Sequence, residues 1–170
     1  SSGIPNFTNF PEFQTLQLSP TTPEKTIAIF RDKPLDFQPG EKMNYSNSGY
    51  ILLGALIEKL SGKTYERFIQ ENIFIPLKMN NSGYDSNTDI IMYRAAGYTP
   101  NAQGKGNAGF AHMSMPYAAG GLYSTTEDLL KWENALFSGG FVSKASLKKM
   151  LTPYKDDYGF GVVISKDKDR

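Results

Sequence analysis

The sequence predicts a mainly α-helical fragment of an α+β fold that carries one or two strands. Three observations support this prediction. About five segments have apolar residues at helical spacing, and most of them end at glycine or proline. Only residues 158–165, near the end, have the composition of a regular strand, and a single strand needs partners in a sheet. The length of 170 residues and the 39% hydrophobic content are typical of a globular chain and argue against disorder.

Two strong helix predictions follow each other in the first half of the chain. Residues 48–61 carry apolar side chains at helical spacing and stop at Gly62, a residue type that commonly follows the last helical turn. Thr64 is placed to cap a second helix, and Pro76 ends that helix because proline cannot continue the backbone hydrogen bonds.

A third strong helix prediction lies in the second half, and two weaker ones complete the set. Ser124 and Glu127 have the spacing of a capping box ahead of an apolar periodic run that ends at Gly139. A proline at the first helical position predicts a helix over residues 23–32. Ser143 opens the last predicted helix, whose apolar residues share one face.

The remaining segments are predicted to be irregular or extended. Residues 1–20 contain three prolines and no sustained period, so they are predicted to be loop. Residues 80–121 are rich in Gly, Asn and Ser, with a short strand predicted over residues 94–98. Residues 158–165 are predicted to be a β-strand with a glycine-loosened start.

Composition and charge exclude several functional classes. Eighteen basic and seventeen acidic side chains give a net charge of +1, which argues against nucleic acid or an anionic membrane as a partner. The absence of cysteine excludes thiolate metal sites and a cysteine nucleophile. The single histidine, His112, argues against a multi-histidine metal centre and a Ser-His-Asp triad. The longest nearly pure apolar run, residues 51–57, is far shorter than the roughly 20 residues of a membrane span.

Tyr45 and Asn47 are the strongest candidates for chemistry. They are separated by one residue just before a predicted helix, and in an extended segment this spacing puts both side chains on the same side. A tyrosine acts as a general base if a neighbouring cation lowers its pKa from about 10. An asparagine can hydrogen-bond a substrate amide. The alternative is structural: Ser46 or Asn47 is a helix N-cap and Tyr45 is a half-buried aromatic residue.

The order of sequence landmarks resembles the serine β-lactamase/penicillin-binding protein superfamily, on its class C β-lactamase, DD-peptidase and esterase side. The landmarks are Ser-Gly-Ile-Pro at 2–5, Phe-x-Pro-Gly-Glu-Lys at 37–42, Tyr-Ser-Asn-x-Gly-Tyr-x-Leu-Leu-Gly at 45–54, Ser-Gly-Lys-Thr-Tyr at 61–65, Ile-Pro-Leu-Lys-Met at 75–79 and Ala-Gly-Gly-Leu-x-Ser-Thr at 119–125. The resemblance covers essentially the whole chain. The linked order of these motifs is far more specific than any one of them.

The resemblance implies a serine hydrolase. In that superfamily the serine of a Ser-x-x-Lys motif forms an acyl-enzyme, which is then hydrolysed, and the lysine assists proton transfer. Tyr45 and Asn47 match the Tyr-x-Asn motif, so Tyr45 would be the general base or proton relay, and Asn47 would position the substrate and the lysine. Ser46, Gly120 and Gly121 would contact the substrate. The substrate would be a β-lactam, a D-Ala-D-Ala peptide or a small ester.

Two motifs that the resemblance implies are not found where the family has them. The place of Ser-x-x-Lys precedes Ser1, and the place of the third motif, Lys-Thr-Gly or His-x-Gly, follows the last predicted strand. Serine–lysine pairs around residues 144–148 fall on a solvated helix. We therefore expect a fragment with a helical subdomain over roughly residues 20–152 and the start of a sheet strand over roughly residues 157–165. By itself this fragment should be inactive.

The resemblance also sets expectations about partners. No metal or organic cofactor is implied, and the longer protein would act on a small molecule or a peptidoglycan peptide and would be exported or associated with the cell envelope. An exposed sheet edge would allow a homo-oligomer. One alternative is a non-catalytic binding or regulatory module that keeps the fold. Another is a self-contained helical interaction domain, whose last strand would have to find a partner.

Overall fold

A computed structural model describes residues 1–164, and the predicted mainly helical fold is confirmed there. The described helices are α1 (Phe13–Leu16), α2 (Pro23–Phe30), α3 (Asn47–Ser61), α4 (Tyr65–Ile69), α5 (Thr126–Phe137) and α6 (Lys144–Met150), with a π-helical turn at Gln70–Phe74 and 3₁₀ turns at Phe7–Asn9 and Tyr117–Ala119. All five predicted helices are therefore present. In this part of the chain, none of them has both the length and the apolar character that a bilayer crossing requires.

Side-chain caps begin four of these helices. Thr22, Thr64, Thr125 and Ser143 each accept a hydrogen bond from the backbone N–H three residues further on, at 3.4, 3.2, 3.3 and 3.1 Å. Each cap satisfies an N–H group that has no partner within the helix. The capping box predicted at Ser124 is wrong by one residue, because the Ser124 hydroxyl pairs at 2.7 Å with a serine in a distant loop.

Helix α3 lies at the centre of the core. Its Ile51 is completely buried. The other core side chains surround it and come from the first 30 residues, from α4 with its π-helical turn, and from the segments before α5: Phe7, Phe30, Tyr65, Ile69, Phe74, Met79, Met115 and Tyr117. A Cβ atom at Gly54 would lie 2.4 Å from the Ala118 Cβ and 2.5 Å from the Tyr117 ring. Glycine therefore allows the second 3₁₀ turn to approach the helix closely.

Two small antiparallel sheets occur in the described residues. Strand β1 (Gly83–Tyr84) pairs with β4 (Leu122–Tyr123), and β2 (Tyr98–Asn101) forms a hairpin with β3 (Gly104–Asn107). The strand predicted over residues 94–98 is wrong, because the hairpin begins only at the last of these residues. The hairpin strands are almost entirely exposed, so they lack the alternation of apolar and polar residues by which a strand is recognised.

The segment predicted as a strand over residues 158–165 is not a regular strand in its described part. Tyr158 forms isolated β-bridges with Lys155 and Val163, and the chain turns at Gly161, whose φ is +76°. A left-handed residue interrupts the extended backbone that a strand requires. The last residue of the predicted segment lies outside the described residues. Residues 158–164 therefore offer no regular sheet edge for the expected homo-oligomer.

Candidate active site

Tyr45 lies in the loop directly before helix α3, as the sequence predicts. Residues 43–46 are irregular, and the helix begins at the second residue after Tyr45. The Tyr45 side chain is 46% exposed and lines a cavity of about 640 Å³, which we call the main cavity. The loop, helix α3 and the segment 154–161 line this cavity. The lining side chains include Met43, Leu52, Leu53, Tyr154, Tyr158 and Phe160. The phenol of Tyr45 thus borders an accessible, mainly apolar space.

Three tyrosines meet at one side of the main cavity. The ring of Tyr45 lies 5.6 Å from that of Tyr50 at an angle of 33°, and 6.5 Å from that of Tyr158 at 69°, measured between ring centroids. The hydroxyls of Tyr50 and Tyr158 are 2.9 Å apart and share a hydrogen bond. This tyrosine cluster joins the first turn of α3 to the segment 154–161.

The electrostatic surroundings keep Tyr45 protonated. Burial, and secondarily the neighbouring Tyr158, raise the pKa of Tyr45 above its ordinary value of 10.0. Lys155 also lines the main cavity, but its Nζ donates a hydrogen bond to the Glu41 carbonyl oxygen. The sequence-based interpretation as a general base required a cation that lowers the pKa. That condition is not met within residues 1–164, and the role of Tyr45 as a general base stays a prediction.

Asn47 faces a different space. It is the first residue of α3; its N–H donates to the Asn6 Oδ1 at 3.1 Å, and its side-chain amide donates to the Thr8 Oγ1 at 3.3 Å. It lines a smaller cavity of about 150 Å³ together with Phe7, Phe13 and Met115, among others. Tyr45 and Asn47 thus line different cavities, and their approach to one substrate from the same side stays a prediction. Ser46, which lies between them, is extended, and the helix begins at Asn47.

Ser46 occupies the N-cap position of α3 without capping it. Its side chain accepts no hydrogen bond from the helix, and its buried Oγ has no hydrogen-bond partner among the described residues. Asn6 binds the first helical N–H instead. Ser46 lines the main cavity beside Tyr45, so its hydroxyl is a polar group adjacent to the site.

Gly120 and Gly121 line neither of these two cavities. A Cβ atom at Gly121 would lie 2.6 Å from the Tyr117 carbonyl oxygen and 2.9 Å from the Tyr84 ring. Its own carbonyl oxygen accepts a hydrogen bond from the N–H of Asp85 at 2.7 Å. The structure thus gives Gly121 a packing role, and contact of either glycine with substrate stays a prediction.

Comparison with known proteins decides the family. The protein-family model described as Beta-lactamase matches residues 1–166. The chain belongs to the beta-lactamase family. Penicillin-binding protein 4* of Bacillus subtilis is 31% identical over 153 residues, which cover 79% of this chain and 34% of that protein. The mitochondrial serine beta-lactamase-like protein LACTB of Mus musculus is 36% identical over 133 residues, which cover 76% of this chain and 24% of that protein.

Solved structures of this fold extend the comparison. A D-stereospecific amidohydrolase from a Streptomyces species superposes with a TM-score of 0.82 at 26% identity, over 94% of this chain and 53% of that chain. A penicillin-binding protein from Bacillus halodurans superposes with a TM-score of 0.77 at 28% identity, over 95% of this chain and 52% of that chain. This member of the beta-lactamase family spans about half of these structures and about a third or less of the two curated relatives.

Sequence reasoning missed two contacts in this beta-lactamase family chain. The buried hydroxyl of Ser48 donates to the Pro5 carbonyl oxygen at 2.7 Å and accepts from the Phe7 N–H at 3.0 Å. It thereby fixes the Ser-Gly-Ile-Pro loop against the start of α3. The available signal was a serine on the apolar face of a helix, where a hydroxyl needs partners. The pairing of Tyr50 with Tyr158 was also missed.

Other groups with chemical potential lie away from the main cavity. Ser146 and Lys149 match Ser-x-x-Lys by letter, but they lie on α6, where Ser146 is exposed and hydrogen-bonded to Ser143. Neither of them lines the main cavity. A second match, at 165–168, falls outside the described residues. No cluster of three His, Asp or Glu side chains in residues 1–164 is placed to hold a metal ion.

Proposed function

We propose that this chain supplies the Tyr-Ser-Asn part of the active site of a serine hydrolase whose nucleophile belongs to a longer protein. The proposed reaction is acyl transfer to that serine, followed by hydrolysis. The observation that carries the proposal is the position of Tyr45 at the main cavity, directly before α3, in a chain whose family match spans residues 1–166. In the longer protein, the helical subdomain would cover residues 20–152, and residues 157–165 would lead into the sheet.

Tyr45 would transfer protons during acylation. When a serine oxygen attacks a carbonyl carbon, the serine loses its proton and the departing nitrogen or oxygen must gain one. The raised pKa keeps the Tyr45 phenol protonated but also makes it a weaker acid than a free tyrosine. A lysine beside it, as in the Ser-x-x-Lys motif of the family, would lower the pKa and let Tyr45 relay the serine proton to the leaving group.

Asn47 would orient the substrate. The Asn47 amide has one N–H directed to Thr8, which leaves its carbonyl oxygen and second N–H for a substrate amide and for the lysine of the nucleophile motif. The small cavity beside it, about 150 Å³ and lined largely by apolar side chains, suits a substrate side chain no larger than a phenyl ring. Ser46, Gly120 and Gly121 would contact the rest of the substrate.

We infer that the substrate carries a D-amino acid or its β-lactam equivalent. A D-amino acid amidase from Ochrobactrum anthropi, solved with D-phenylalanine, superposes on this chain with a TM-score of 0.76 at 29% identity. An apolar side-chain cavity next to the Asn47 amide is consistent with such a ligand. The non-catalytic alternative lacks comparable support, since the similar proteins include one described as a D-alanyl-D-alanine carboxypeptidase from Escherichia coli, the D-stereospecific amidohydrolase and the D-amino acid amidase.

Turnover measurements test the proposal. The 170-residue chain and the full-length protein are assayed with a chromogenic cephalosporin, p-nitrophenyl acetate and D-phenylalanine amide. We expect background rates from the chain alone and turnover of at least one substrate by the full-length protein. Tyr45→Phe should lower that turnover at least about 100-fold, the usual loss when a proton-transfer group is removed. Tyr93→Phe is the control, because Tyr93 is 98% exposed and outside both cavities.

The opposite result is equally clear. Activity of the isolated chain that survives repurification and disappears when one of its own serines is replaced would refute the proposed location of the nucleophile. Full activity of the Tyr45→Phe variant of the full-length protein would refute the role of Tyr45.

A further inference from the structure

We propose that Tyr50 and Tyr158 are positioning residues for Tyr45. The hydrogen bond between their hydroxyls holds the segment 154–161 as one wall of the main cavity and sets the place of the Tyr45 ring. This inference rests on the proposed function of Tyr45 and adds two residues to that site. Neither of them is argued to exchange protons with the substrate.

The geometry of the tyrosine cluster supports this role. The two hydroxyls lie 2.9 Å apart and join residues that are 108 positions apart in the chain. The Tyr45 ring contacts one partner in a tilted arrangement at 5.6 Å and the other edge to face at 6.5 Å. Because Tyr50 and Tyr158 contact the Tyr45 ring at different angles, a shift of this ring along one neighbour breaks its contact with the other. Aromatic pairs of this kind contribute beyond the area that they bury.

The wall has few other attachments. Apart from the Tyr50–Tyr158 pair, its side-chain hydrogen bond to the rest of the described chain is that of Lys155 with the Glu41 carbonyl oxygen. On the backbone, the Phe160 N–H donates to the Met150 carbonyl oxygen at 3.0 Å. Only the Tyr50–Tyr158 bond, among these, links the wall to α3, the helix that Tyr45 precedes. Removing it should therefore release the wall and the Tyr45 ring together.

Phenylalanine substitutions separate positioning from packing. Tyr158→Phe and Tyr50→Phe keep the ring and remove one hydroxyl, so the fold should survive, and circular dichroism checks this. Tyr154→Phe is the matched control, because Tyr154 lines the same cavity but is 69% exposed and makes no ring contact with Tyr45 among the described residues. If one of the two variants fails to fold, the other tests the same bond.

The first measurement needs no enzymatic activity. Tyrosine rings of the 170-residue chain are labelled with ¹³C, and the Tyr45 signal is followed by NMR through an alkaline titration. In Tyr158→Phe we expect the Tyr45 signal to move and its midpoint to fall, because Tyr158 contributes to the raised pKa of Tyr45. Tyr50→Phe should move the same signal, and Tyr154→Phe should leave both position and midpoint unchanged. An unchanged Tyr45 signal in Tyr50→Phe and Tyr158→Phe overturns the inference.

The second measurement uses the full-length protein with its best substrate. Each single variant should lower kcat about tenfold with KM within about twofold, a loss of the order that one neutral hydrogen bond supports. The double variant should be no slower than the singles, since both remove the same bond. Unchanged kcat in both variants overturns the positioning role even if Tyr45→Phe is inactive. If the Tyr45→Phe variant is active, the proposed function is refuted instead. The NMR titration then still shows whether Tyr50 and Tyr158 position the Tyr45 ring.

Discussion

The two walls of the main cavity are built in different ways. On one side, the Tyr45 loop runs into α3, whose Ser48 and Ile51 are completely buried in the core. On the other side, the segment 154–161 places Tyr154 and Phe160 at the surface, 69% and 60% exposed, and is attached by few hydrogen bonds. Local opening of a protein begins where few apolar contacts are buried. The α3 wall should therefore open only with global unfolding, and the 154–161 wall should open by itself.

The largest expected effect is on the α3 wall. In Gly54→Val the new side chain would clash with Ala118 and with the Tyr117 ring, because its Cβ atom would lie 2.4 Å from the Ala118 Cβ and 2.5 Å from the Tyr117 ring. Overpacking at a site that cannot yield should lower the free energy of unfolding by about 3 kcal/mol. Urea unfolding measures this. Gly49→Val, in the same helix with no atom within 4 Å of its Cβ, is the control and should change stability by under about 0.5 kcal/mol.

A stable Gly54→Val variant would contradict the description of this wall as fixed. It would mean that the turn Tyr117–Ala119 moves away from α3 at little cost.

A smaller loss is expected at the start of the same helix. Ser48→Ala removes the hydroxyl that serves both the Pro5 carbonyl and the Phe7 N–H, and it leaves both groups buried without that partner. The expected cost is about 2 kcal/mol. Ser46→Ala is the matched control two residues earlier, since its Oγ has no partner among the described residues and its removal should cost under about 0.5 kcal/mol. Equal losses in the two variants would contradict this assignment.

The sequence could predict those features whose signals lie close to them in the chain. Helices begin at caps such as Thr64 and stop at residues such as Gly62, and these signals lie within a few positions of the element that they define. The place of Tyr45 before α3 followed from such local signals. The ends of the hairpin could not be predicted, because its exposed strands carry no burial pattern. The prediction of a strand over residues 158–165 took β-branched composition as evidence of pairing, but the described part makes a turn at Gly161.

The candidate site shows the same limit. Tyr45 and Asn47 were identified from their spacing, yet whether two such residues share a cavity depends on where the helix begins, which shifts by a residue or two. The Tyr50–Tyr158 pair joins positions 108 residues apart. No local pattern reports such a contact, because it arises only when the whole chain is packed.

The next expected effect is on the 154–161 wall. A Cβ atom at Gly159 would lie 2.2 Å from the Met150 carbonyl oxygen, an even closer approach than at Gly54. We nevertheless expect Gly159→Val to lower the free energy of unfolding by no more than about 1 kcal/mol, because this wall can move away from the clash. Hydrogen exchange of the Phe160 amide should become faster, while α3 amides keep their protection. A loss as large as in Gly54→Val would show that both walls belong to one cooperative unit.

The smallest expected effect is a pH dependence of the 154–161 wall. Burial, and then the hydrogen bond with Tyr158, raise the pKa of Tyr50 in the folded protein. Because the unfolded chain loses this proton at a lower pH, the stabilisation from Tyr50 is complete below about pH 10 and is lost as the pH rises further. Between pH 9 and pH 11 the wild-type chain should lose under about 1 kcal/mol more than Tyr50→Phe, a modest figure because the group is only partly buried. Urea unfolding of both chains at the two pH values measures this difference. If the two chains lose the same amount, the Tyr50 hydroxyl is as free to ionise in the folded protein as in the unfolded one, and the wall is held by contacts other than the tyrosine pair.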